Sequence, residues 1–164
     1  EPYRRQRQMC IRDRKQEWSE ERELDWYLLE NPEHKKIQNW VKELLHLYRR
    51  NRCLYELDSS WEGFEWINAN DADRSIFSFI RKSKDGKNNM LFVINFTPVE
   101  RPDYRVGVPR KKQYKLILNS DEEKYGGTGA DRKKIYKAEK KECDGRPYSF
   151  AYKLPPYGVA VFKY

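Results

Sequence analysis

Three sets of residues in this 164-residue chain could do chemistry. The first is the pair Trp18 and Trp26, in the acidic stretch EWSEERELDWYLLEN at 17–31. An aromatic face can stack on the C–H surface of a sugar ring while neighbouring carboxylates accept its hydroxyls. The plain alternative is that both rings pin the loop to its scaffold. The second set is the glycine run Tyr125-Gly126-Gly127-Thr128-Gly129. A phosphate cradle needs a strand before such a run and a helix N-terminus after it. Here the following residues carry no apolar stripe, so a loose loop between strands is expected. The third set is the 26 Asp and Glu residues. Glycoside chemistry needs two carboxyl groups held across the scissile bond, one protonated and one ionised, and spacing alone does not say which of 26 face each other. Both histidines, His34 and His46, fall on the polar side or flank of one helix and give no nucleophile a base. No self-contained active site can be assembled.

The elements that must position these groups change character halfway through. Asn31 is placed to cap a helix with its side-chain oxygen, and Pro32 suits the first helical position because its missing N–H would be unpaired there anyway. Ile37, Trp40, Val41, Leu44, Leu45 and Tyr48 then recur at helical spacing, so a helix is expected over 32–50 with one apolar stripe. From Gly63 onward the pattern has period 2. Strands are expected at 63–68, 74–82, 90–96, 104–108, 113–119, 148–153 and 159–164, with a hairpin turn at Lys84-Asp85-Gly86-Lys87. Pro98, Pro102, Pro109 and the Pro155-Pro156 pair mark gaps where a missing amide donor harms no ladder. Short strands at this spacing predict an antiparallel β-sandwich, with the domain boundary near 51–60. Trp40 reads as core, Trp66 as core or interface, and Trp61 as either.

Composition narrows the function classes. Aromatics make up 15% of the chain against 38% apolar residues in all, which predicts a core rich in Trp, Tyr and Phe. The net charge is +8, concentrated at 1–16 and at 132–141. Two separate basic runs on loops or ends read as solvated surface, so no nucleic-acid partner is expected, although an RNA-binding β-domain is the reading they would support. Cys10, Cys53 and Cys143 form no CxxC pair, which argues against a disulfide framework or zinc site and for a reduced, cytoplasmic compartment. No apolar run approaches the ~20 residues of a membrane span, so no membrane partner is expected. Residues 1–16, EPYRRQRQMCIRDRKQ, show no hydrophobic period. Their run QRQMCIRD resembles translated adaptor DNA, and the segment is set aside as non-native or as a disordered basic tail.

Read in order, several pieces match one family. They include Glu17-Trp18, Leu24-Asp25-Trp26, Trp40-Val41, Leu47-Tyr48-Arg49, Gly63-Phe64-Glu65-Trp66-Ile67, Ser78-Phe79-Ile80-Arg81 and Asn95-Phe96-Thr97-Pro98. Tyr104 to Pro109, Leu118-Asn119-Ser120-Asp121, Tyr125 to Gly129 and Leu154-Pro155-Pro156 complete the series. The chain resembles, over 17–164, the C-terminal part of a 1,4-α-glucan (glycogen) branching enzyme of the α-amylase superfamily. The resemblance implies that 17–31 is the last loop and 32–50 the closing helix of a (β/α)8 barrel, followed by the superfamily's all-β domain at 51–164. It implies that the aspartate nucleophile, the glutamate acid/base and the second aspartate lie on earlier barrel strands, so no catalytic residue is assigned here. Trp18, Asp25 and Trp26 would sit on the catalytic face, because loops after barrel strands form it, and are the candidate glucan-binding residues. The β-domain would chiefly cover barrel surface. The implied partners are α-glucan and the barrel itself, and no metal or organic cofactor is implied. A non-catalytic carbohydrate-binding module is the competing reading. With its barrel partners missing, the helix stripe must find the β-domain or stay exposed, and loose packing of 17–50 is expected.

Overall fold

A computed structural model describes residues 20, 21, 23, 25–129 and 133–164. Helix α1 (Pro32–Arg50) runs over the residues that the periodicity marks. Asn31 Oδ1 accepts the Glu33 N–H at 3.0 Å, Pro32 occupies the first turn, and Arg49 and Arg50 face the negative end of the helix dipole. At the other end the Asn51 amide donates to the Leu47 carbonyl at 2.7 Å and stops the helix.

Eight strands follow: β1 (Phe64–Asp71), β2 (Ile76–Arg81), β3 (Met90–Asn95), β4 (Arg101–Val108), β5 (Gln113–Asn119), β6 (Ile135–Lys137), β7 (Tyr148–Leu154) and β8 (Val159–Lys163). They form a six-stranded sheet in the order β1-β2-β3-β8-β5-β6 and a two-stranded sheet β4-β7, with every pairing antiparallel. This is the expected antiparallel sandwich with one helix ahead of it. The β2–β3 turn holds Gly86 at φ +65°, a left-handed conformation that glycine adopts without penalty. The strand β6 was not expected within the basic run. Tyr136 is buried there while Lys133, Lys134, Lys137, Lys140 and Lys141 are exposed, so a single inward ring carries a short edge strand through a charged segment.

The core lies between the two sheets. Ile76, Ile80, Leu91 and Val93 meet Val106, Val108, Phe150, Tyr152 and Leu154 across the gap. The tryptophans are not in it. Among the described residues Trp26, Trp61 and Trp66 are exposed and Trp40 is half-buried; tyrosine and phenylalanine fill the interior instead. A second, smaller cluster lies on the other face of the six-stranded sheet. There Trp40, Leu44 and Leu47 of α1 pack on Cys53, Met90, Leu118 and Val161. A bulge between Leu116 and Leu118 makes this possible. Strict alternation would send Leu118 inward with Tyr114 and Leu116, and the extra residue turns it toward the helix. The helix stripe therefore divides: Trp40 and Leu44 find the sheet, while Val41, Leu45 (61% exposed) and Tyr48 face outward.

Burial also gives the fold an alkaline limit. Desolvation pushes the hydroxyls of Tyr104 and Tyr114 well above the ordinary 10.0, and that of Tyr164 up to about 12. The unfolded chain then loses these protons at a pH where the folded chain keeps them. Stability is therefore fully present below pH 10 and falls as pH rises from 10 toward 12, by up to ~1.4 kcal/mol per pH unit for each such group. Urea midpoints at pH 8, 10 and 11 should be flat over the first step and drop over the second.

Candidate functional site

Three features draw together around the N-terminal half of α1: the turn before it, the glycine loop beside it and the ring of Trp40. Trp26–Glu30 forms a 3-10 turn leading into α1. Leu28 is the residue that turns inward, and its N–H bonds the Asp25 carbonyl at 3.0 Å. Trp26 (64%) and Tyr27 (67%) project outward. The anchor of this turn is thus an aliphatic side chain, and the Trp26 ring remains free for another surface. Asp25 is half-buried immediately before the turn and its side chain makes no cap bond, which leaves carboxylate and indole side by side. Trp18 lies outside the described residues. Tyr27 was not singled out from the sequence. Its adjacency to Trp26 next to an acidic residue was the available signal, masked by the hydrophobic run Leu28-Leu29 that follows.

The glycine loop is compact rather than loose. Asp121 accepts the Thr128 N–H at 3.0 Å on one carboxylate oxygen and the Thr128 hydroxyl at 2.7 Å on the other. A Cβ on Gly127 would fall 2.2 Å from the Asp121 carbonyl oxygen, so the backbone closes on itself and leaves no room for a phosphate. Gly126, at φ +92°, ends the turn Glu123–Tyr125. That turn presents Tyr125 edge-on to Trp40, with ring centroids 4.9 Å apart. The loop is thus a brace that fixes α1 on the sheet. Nearby, burial raises the Glu122 carboxyl, but hydrogen bonds from Lys124 and Lys134 outweigh it and hold the group below its usual range.

Neither described thiol is set up as a nucleophile. Burial pushes Cys143 up to about 11, with the Asp144 charge adding to it, and burial likewise raises Cys53; at neutral pH both are thiols. Among the described residues no group of three or more His, Cys, Asp or Glu side chains is placed to hold a metal ion. No described helix is long and apolar enough to cross a membrane.

Comparison with known proteins adds ancestry to this geometry. Curated proteins similar to the chain include the 1,4-alpha-glucan branching enzyme GlgB of Butyrivibrio fibrisolvens, 51% identical over 146 residues, which are 89% of this chain and 23% of that protein. The GlgB proteins of Halothermothrix orenii and Aquifex aeolicus are 44% and 46% identical, over 90% of this chain and 23% and 24% of their own lengths. The chain therefore spans about a quarter of the length of these curated relatives. The family described as alpha amylase, C-terminal all-beta domain, matches residues 66–164, from within β1 through β8. With more than half of its residues matched and all eight strands reached by the match, the chain belongs to the alpha-amylase C-terminal all-beta domain family.

Proposed function

We propose that this chain is the C-terminal part of a 1,4-α-glucan branching enzyme, serving it as scaffold and as one rim of the glucan cleft. The observation that carries this is 51% identity to one branching enzyme across 89% of the chain, combined with coverage of only 23% of that enzyme. In the whole enzyme an α-1,4-glucan segment is transferred to a 6-hydroxyl to make an α-1,6 branch, in a cytoplasmic setting. The bond-breaking carboxyl groups belong to the barrel. Residues 17–50 are read as the barrel's last loop and helix and 51–164 as the β-domain. The chain alone, incubated with amylose, should form no new α-1,6 linkages, and turnover above a blank would overturn this reading. Grafted in place of the matching region of the Butyrivibrio fibrisolvens enzyme, it should retain branching.

Within this proposal Trp18, Asp25 and Trp26 touch glucan. The support is the outward Trp26 ring beside Asp25, an apolar plate next to an acceptor. In the grafted enzyme, Trp26→Ala should raise KM for amylose about fivefold, the effect of losing ~1 kcal/mol at a truncated aromatic contact. An unchanged KM would remove Trp26 from the site.

A further inference from the structure

The helix covers only half of an apolar sheet face, and the other half is paved with aromatic rings. Register explains the paving. Trp66 pairs with Phe79, Phe79 with Phe92, and Phe92 with Val161, so one outward row crosses β1, β2, β3 and β8. A second outward row runs Phe77, Ile94, Val159. Neither row carries a charge. The rings pack on one another: Phe79 and Phe92 stack at 4.9 Å with planes 7° apart, Phe79 meets Trp66 at 5.8 Å, and Phe77 meets Phe96 at 5.5 Å. At the β8 end of these rows α1 lies over Val161 and Met90. At the β1–β2 end Trp66 (48%), Phe77 and Phe96 (58%) remain exposed.

Resting on the reading of this chain as part of a branching enzyme, we propose that this open half-face is where the β-domain receives the domain that precedes α1 in the relatives. Three observations select that occupant. The chain reaches the face through α1, so whatever precedes α1 is delivered beside it. The outward residues Val41, Leu45 and Tyr48 of α1 are themselves uncovered, and one body seated against the helix would extend onto the adjoining rings. The face also lacks what a saccharide would need. Arg81, which adjoins the rows on β2, is already bonded to Asp58 at 2.6 Å and to the Leu54 carbonyl at 3.2 Å, so hydroxyl groups would meet apolar positions. An uncharged aromatic centre is the anatomy of a protein interface.

The full chain would be mixed with the portion of the Butyrivibrio fibrisolvens enzyme that it does not match, and the complex quantified by co-purification and titration. The wild-type chain should bind one to one. The double variant Trp66→Ser, Phe77→Ser should lose about thirtyfold or more in affinity, as hot-spot truncation does, and Phe96→Ser alone should lose less. Ile135→Ser, exposed at the far β6 edge, should bind as wild type. All four chains should share one melting midpoint, since the altered side chains are largely exposed. Tight binding that ignores the Trp66 and Phe77 changes would overturn the face assignment while leaving the branching-enzyme reading intact. Failure of the wild-type chain to bind would overturn both. Self-association lost on the same substitutions, without binding of the enzyme portion, would assign the face to a second copy and overturn the proposal.

Discussion

Phe162→Ala is expected to destabilise the chain by ~3–5 kcal/mol, a large part of the 5–15 kcal/mol typical of a whole domain. Phe162 is fully buried on β8, the strand at the middle of the six-stranded sheet. Its ring stands nearly perpendicular to Tyr136 and Tyr152, at 5.5 and 5.2 Å, and lies 5.2 Å from Phe150. Those partners come from β6 and β7, so the ring joins the two sheets and the edge strand. The cavity cannot collapse easily, because its walls are large rings held by separate strands. Urea unfolding followed by circular dichroism measures the loss, with Phe162→Leu as a control that keeps most of the volume and should cost much less. A loss under ~1 kcal/mol would mean that the sheets are held together elsewhere.

Gly107→Ala tests a different constraint, the close approach of backbone to backbone. A Cβ on Gly107 would lie 2.1 Å from the Cys143 carbonyl oxygen and 3.0 Å from the Asp144 Cβ. The same glycine donates its N–H to Asp144 Oδ2 at 2.9 Å, and Asp144 Oδ1 accepts from the Asn68 amide at 2.9 Å. Pushing the Cys143-Asp144 turn away from β4 therefore breaks a link that also ties β1 to the second sheet. Overpacking of this kind costs ~2–3 kcal/mol, or roughly 4–12 °C in melting temperature for a chain of this size. Gly145 supplies the contrast: at φ +66° with nothing near its Cβ position, its replacement by alanine meets only the left-handed penalty of about 1 kcal/mol. Equal effects at the two positions would show that crowding at β4 is not what selects glycine there.

The sandwich depends on these two contacts for more than stability. Phe162 and Phe92 occupy opposite faces of neighbouring strands, so a sheet that loses its inner packing also loses the flatness on which the outer rings are aligned. Both substitutions should therefore weaken any docking through Trp66 and Phe77 as well. The binding test needs variants on the exposed face for that reason.

Much of this was legible from residue order alone. Asn31-Pro32 and the 3.6-residue period placed α1, the period-2 runs placed seven strands, and Lys84 to Lys87 marked the tight turn, because each is a local rule acting within a few bonds. The identity of neighbours across space was not local. Alternation says that Phe77 and Phe79 share a face of β2, but not that this face looks outward while Ile76 and Ile80 face the second sheet. The Leu116–Leu118 bulge moved one leucine to the helix side, and no nearest-neighbour pattern announces a bulge. Trp66 and Trp26 became surface residues because the closed interior was filled by tyrosine and phenylalanine, which fit between two sheets where the bulkier indole does not. The tertiary structure alone decided which half of the apolar face the helix would take and which half would be left for another body, since that choice depends on how the elements pack and not on any one of them.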